Sequence, residues 1–242
     1  MNNYKLIIQY DGTNYAGWQI QKNAPSIQQK ITDALSLLVR GPVNLIGAGR
    51  TDSGVHALGQ TANFLTEKAF VPQKLQYQLN CMLQSDISVT NAVSVPETFH
   101  SRFDAKERSY IYLFSKFKSP FYKNFSYKYK GIIDTHRLND LSRFLIGTKD
   151  FTSFSRKNSD TKNKICAIKE IRWKETQGFV VMYIAADRFL HGMVRTITGT
   201  LLKAAETGKG KEYFDEIISL HDRSAAGEAV PAQGLFLYKV KY

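Results

Sequence analysis

Residues 47–60, Gly-Ala-Gly-Arg-Thr-Asp-Ser-Gly-Val-His-Ala-Leu-Gly-Gln, constrain the fold more tightly than any other stretch of this chain. Gly47, Gly49 and Gly54 surround a single carboxylate, Asp52, and glycine is the residue used where the backbone takes positive φ or another group comes close. An apolar run, 43–46, precedes the stretch and an apolar segment, 57–64, continues it. The pattern predicts strand, tight turn, strand, with Asp52 at the turn beside Arg50. Aspartate is also a common turn residue that bonds nearby backbone N–H groups, so by spacing alone Asp52 is either a turn cap or a reactive group. The dinucleotide fingerprint is excluded: its third glycine would fall too late and Val55 onward reads as strand. The phosphate-binding P-loop is excluded as well, because no Gly-Lys-Ser/Thr follows.

The chain is long enough for one large domain or two small ones, with 242 residues of which 43% are hydrophobic. Lys and Arg number 33 against 21 Asp and Glu, a formal charge of +12. Such an excess draws in polyanions, which makes nucleic acid the leading partner and an anionic membrane surface the weaker one. Cys81 and Cys166 stand far apart, form no C-x-x-C pair and suit a reducing compartment. His56, His100, His136, His191 and His221 lack metal-ligand spacing, so no metal is expected. The apolar run at the N-terminus is too short for a signal peptide and nothing approaches a membrane span, so the expected location is the cytoplasm.

Leu6–Tyr10 reads as a strand with apolar residues on both faces, ended by Asp11-Gly12. Ser26 and Gln29 form a capping box for a helix with Ile27, Ile31, Leu35 and Leu38 at helical spacing, stopped by Gly41-Pro42. A second helix is expected over 72–83. The order then recurs without residue-level repetition: strand 109–114, helix 138–146 closed by Gly147, hairpin 168–185, and a helix from Phe189. This predicts an α+β protein of two similar halves, 1–103 and 104–242, around a central mixed or antiparallel sheet with flanking helices.

Between Lys116 and Lys130, lysines alternate with aromatics and no acid interrupts. Aromatic faces stack on unpaired bases while ammonium groups meet phosphates, yet an edge hairpin with lysines outward and aromatics in the core has the same pattern. Residues 155–164 read as a mobile loop whose basic side chains either close on a polyanion or stay solvated.

Two further residues stand out. Alternation over 109–114 puts Tyr110, Tyr112 and Phe114 on one face, where Tyr110 by itself reads as a core aromatic. In the helix from Phe189, Leu190, Met193, Ile197, Leu201 and Ala204 fall on one side, and Arg188, His191, Arg195 and Gly199 on the other. A basic helix face is ordinarily solvated. Gly199 costs about 1 kcal/mol against Ala within a helix, which is tolerable where something packs closely.

The glycine-rich run resembles the active-site motif of the tRNA pseudouridine synthase A family, Gly-Arg-Thr-Asp-x-Gly-Val-His-Ala-x-Gly-Gln. Residues 99–103 with 108–112, and 189–201, are similar to that family's second and third motifs, and 233–237 resembles its C-terminal Gly-Leu-x-Leu. Ser53 stands where the family often has alanine. The resemblance implies the pseudouridine synthase fold and isomerisation of uridine in the tRNA anticodon arm, just 3′ of the anticodon. It also implies a homodimer in which one tRNA touches both subunits. It further implies Asp52 as nucleophile, Arg195 pairing with it, Tyr110 against the target base, and Arg50, Thr51, His56 and Leu235 as substrate-binding residues.

No cofactor is implied, because breaking N1–C1′, turning the uracil and joining C5 to C1′ has no net redox change. The carboxylate can attack C1′, add to C6 or remove the C2′ proton; all three need an ionised aspartate against the nucleoside. A guanidinium opposes the rise in carboxyl pKa that desolvation brings, and Arg bonds both carboxylate oxygens at once. Two other classes remain open to test: a non-catalytic RNA-binding module, which has no use for Asp52, and a nucleotide-cofactor enzyme.

Overall fold

The computed structural model describes residues 1–157 and 161–242. The chain divides into two compact units, one of Met1–Lys106 with Phe236–Tyr242 and one of Glu107–Leu235. Both are α+β.

In the first unit, β1 (Asn2–Tyr10) lies antiparallel between β3 (His56–Thr66) and β4 (Ile87–Val95). The short β2 (Ile46–Gly47) pairs antiparallel with β3. The last strand, β9 (Leu235–Lys241), pairs with β3 in parallel at His56↔Phe236 and Ala57↔Leu237. Helices α1 (Ile27–Val39) and α2 (Pro72–Met82) complete the unit. Ser26 caps α1 by accepting the Gln29 N–H at 3.3 Å, while the Gln29 side chain turns to Asp33, so only half of the expected capping box forms. Ile27, Ile31, Ala34 and Leu35 of α1 are buried, worth about 5–9 kcal/mol of apolar transfer. Only one face of β1 is fully covered: Leu6, Ile8 and Tyr10 are buried, Ile7 is half-buried and Gln9 exposed.

The second unit carries an antiparallel sheet in the order β5 (Glu107–Ser115), β8 (Phe179–Ala186), β7 (Ile165–Glu175), β6 (Gly147–Asp150). Its helices are α3 (Thr135–Ser142), α4 (Met193–Glu206) and α5 (Lys211–Leu220). The α3 helix starts three residues before the expected Leu138 because Asp134 caps it, accepting the N–H groups of His136 and Arg137. It then tightens into a 3-10 turn at Arg143–Leu145.

The helix expected from Phe189 begins instead at Met193. Gly192 takes φ 73°, and the Met193 N–H bonds Leu190 O at 3.1 Å, so 189–192 form a turn. From there the expected face holds, with Met193, Ile197, Leu201 and Ala204 fully buried and Arg195 and Gly199 half-buried. Of the loop 155–164, residues 158–160 lie outside the described residues. Among the described residues no helix is long and apolar enough to cross a membrane, and no cluster of His, Cys, Asp or Glu could hold a metal ion.

Candidate active site

The Asp52 loop is held by backbone groups on several sides. Trp18 N–H donates to Thr51 O at 3.1 Å, Val55 N–H to Asp52 O at 3.2 Å, and Ser53 Oγ to Tyr15 O at 3.1 Å. At the start of the loop Gln60 Nε2 donates to Gly49 O at 2.9 Å. Gly17 has φ 94°, and a Cβ there would stand 2.4 Å from Thr51 O, so glycine is what lets this segment press against the loop. A bulge in β1/β3, where Ile8 faces Gln60 but Tyr10 faces Ala57, re-aims Tyr10. Its hydroxyl shares a 2.8 Å hydrogen bond with the Thr51 hydroxyl. On this frame the Asp52 side chain is half-buried and Arg50 is exposed.

Thr51 and His56, expected to bind substrate, both face inward. Thr51 is buried against Tyr10, and His56 is 1% exposed and stacked on Phe236 at 4.7 Å. His56 Nδ1 accepts the Gly12 N–H at 3.0 Å, and Asp11 Oδ1 lies 3.1 Å from the same nitrogen. A lone pair serves the first contact and a proton the second. Both residues hold the loop in place.

The second unit carries Tyr110, Arg195 and Leu235. Tyr110 on β5 is buried and meets Phe189 edge-on at 5.2 Å. Two positions along, Tyr112 is fully buried and its hydroxyl donates to Pro231 O at 2.7 Å. Burial pushes the Tyr112 phenol far above its ordinary pKa, and the Arg195 charge acts against that rise. Arg195 itself is tied twice to Val230: its Nε donates to Val230 O at 2.7 Å, and its carbonyl accepts the Val230 N–H at 3.2 Å. Leu235 is buried behind the 3-10 turn Ala232–Gly234.

Sequence reasoning passed over the strap 224–232. This segment lies on α4 because two glycines make room: a Cβ on Gly199 would stand 1.8 Å from Glu228 O, and one on Gly227 would stand 2.8 Å from Thr200 Cα. Gly227 N–H donates to Thr200 Oγ1 at 2.9 Å. The available signal was compositional, a run of Ala, Gly and Pro without apolar period, together with the mid-helix Gly199 some thirty residues before it.

The sequence matches the family model described as "tRNA pseudouridine synthase" over residues 6–104 and 142–242. Proteins named tRNA pseudouridine synthase A align along the whole chain. The one from Bacteroides thetaiotaomicron is 43% identical, covering 100% of this chain and 91% of that protein. That of Clostridium acetobutylicum is 39% identical with 100% of both covered, and that of Acetivibrio thermocellus 41% with 100% of both. The chain belongs to the tRNA pseudouridine synthase family. As a tRNA pseudouridine synthase it is an isomerase that turns uridine into pseudouridine. The α+β architecture agrees with that membership.

Proposed function

We propose that this enzyme isomerises uridines of the tRNA anticodon arm, just 3′ of the anticodon, with Asp52 as the group that attacks or deprotonates the nucleoside. The observation that carries the reading is a half-buried carboxylate on a loop whose neighbours on both sides are bonded in place. Such preorganisation fixes a nucleophile without cost at the moment of reaction. An anticodon-arm uridine is stacked, so it must swing out into the site at a cost of a few kcal/mol. Arg50, exposed beside Asp52, is suited to fill the vacated space or grip a flanking phosphate.

For Tyr110 the proposed role is stacking on the extruded uracil and taking the C5 proton. For Arg195 the motif supplies the role, a permanent cation that keeps the catalytic carboxylate ionised. Leu235 gives an apolar wall. Thr51 and His56 act through the loop they hold. The tRNA is taken up by a homodimer in the cytoplasm, each subunit contacting it.

The test is release of tritium from tRNA carrying uracil labelled at C5. Wild-type protein should release label, and Asp52→Asn should release it only at the background rate. Release by the variant at the wild-type rate would show that Asp52 is not the reacting group.

A further inference from the structure

The basic-aromatic segment 116–130 separates into two halves. Ser126, Tyr127 and Tyr129 turn inward: Tyr127 bridges to Phe114, its N–H bonds Leu113 O at 2.9 Å, and Tyr129 meets Phe114 edge-on at 6.3 Å. The other half is presented outward. Phe121 is 83% exposed, Phe117 47% and Tyr122 43%.

This outer half is nonetheless built. Phe117 and Tyr122 meet edge-on at 6.3 Å, and Tyr122 meets Phe179 at 5.2 Å, which props the aromatics on the β7–β8 turn. Lys116 N–H bonds Gly178 O, and the Lys116 ammonium pairs with Glu175. At the tip, Ser119 Oγ accepts the Phe121 N–H at 3.2 Å, Phe125 N–H bonds Tyr122 O at 3.0 Å, and Ser126 Oγ donates to the same carbonyl at 2.9 Å. Lys118 and Lys123 flank the rings, both exposed, and no acid occurs from 116 to 130. The segment falls between the two spans that match the family, 6–104 and 142–242.

We propose that this surface binds unpaired nucleotides of the tRNA substrate, with Phe121 as the stacking ring and Lys118 and Lys123 meeting the adjoining phosphates. The inference rests on the tRNA reading above and adds a contact outside the family-matched spans. Exposed rings interleaved with cations fit a strand whose bases are splayed out. Self-association through the same patch would set Lys118 and Lys123 against their own copies.

The experiment uses the full chain and an unmodified tRNA transcript, with binding and steady-state turnover measured for wild type, Phe121→Ala, Phe121→Trp, Lys118→Gln/Lys123→Gln and, as a control of equal character, Leu37→Ala on α1, which is 69% exposed. Phe121→Ala should weaken tRNA binding roughly 5- to 150-fold, the loss of one base–ring stack, and raise KM more than it lowers kcat. Phe121→Trp should retain affinity, the lysine pair should flatten the salt dependence of log Kd by about 1.4, and Leu37→Ala should change nothing. Unchanged tRNA affinity in Phe121→Ala overturns the proposal. So does a change confined to oligomeric state in light scattering, or to capture by phosphatidylserine vesicles. A wild type that binds tRNA through this surface but releases no tritium would refute the anticodon-arm reading and leave the surface standing. Normal isomerisation with an indifferent Phe121→Ala refutes the surface alone.

Discussion

Replacing Gly199 by Ala puts a methyl group 1.8 Å from the Glu228 carbonyl oxygen and 3.0 Å from its carbon. A carbon and an oxygen settle no closer than about 3.3 Å, so the strap must withdraw by about 1.5 Å. That displacement breaks the 2.7 Å bond from Arg195 Nε to Val230 O and the 3.2 Å bond from Val230 N–H to Arg195 O, and strains Gly227 N–H to Thr200 Oγ1. A neutral bond is worth about 1 kcal/mol and a charged one about 1.5–3. Against this the helix gains about 1 kcal/mol from exchanging glycine for alanine. The net is a loss of about 2–4 kcal/mol, roughly 4–16 °C in melting temperature for a chain of this size. Because Arg195 loses its two bonds to Val230, turnover should fall by more than tRNA affinity does. Thermal unfolding followed by circular dichroism, with tritium release and filter binding on the same preparations, checks both. A variant that melts within a degree of wild type and turns over normally would show that the strap does not position Arg195.

Gly17→Ala should destabilise by about 2–4 kcal/mol in urea, since φ 94° alone costs about 1–2 and its methyl would meet Thr51 O at 2.4 Å; Gly49→Ala, with nothing within 4 Å, should stay within about 0.5. Arg195→Leu should keep tRNA affinity within a few-fold while losing most turnover, and equal loss of both would reassign it to binding. Burial pushes the Cys166 thiol up to about 12 from 9.0, so the folded state keeps its proton where the unfolded chain releases it. That contribution is intact below pH 9 and declines as pH climbs toward 12, by about 1 kcal/mol at pH 10. Urea unfolding at pH 8 and pH 10 should therefore show a smaller alkaline loss for Cys166→Ala than for wild type. Tyr112→Phe should cost about 1–3 kcal/mol by stranding the Pro231 carbonyl, read from the same urea curves.

Periodicity and capping chemistry are local, and where local rules decide, the sequence was readable. Ser26 and the Ile27, Ile31, Leu35 spacing place α1, and the alternation at 110, 112 and 114 places three rings in the core. Where a single backbone torsion decides, periodicity misleads: Leu190 fits the apolar face of α4 but sits in the turn before it, because Gly192 is left-handed. The 43–46 run was apolar enough for a longer strand, yet the ladder with β3 holds only Ile46 and Gly47, opposite Asn63 and Ala62. The strap over Gly199 depends on contact between residues some thirty positions apart, for which no short-range pattern exists. Lys116–Lys130 divides in two: Tyr127 and Tyr129 turn toward Phe114 as the hairpin reading expects, while Phe117, Phe121 and Tyr122 stay exposed.

The strand that seats His56 against Phe236 comes some 170 residues after β3 leaves the ribosome. At ordinary rates of translation this gap is about 10–30 s, during which the free edge of β3 is open to other chains. The loop that carries Asp52 thus acquires its last support late in synthesis. A chain released after Leu235 should already hold a folded second unit, and should still lack the means to modify any RNA it meets.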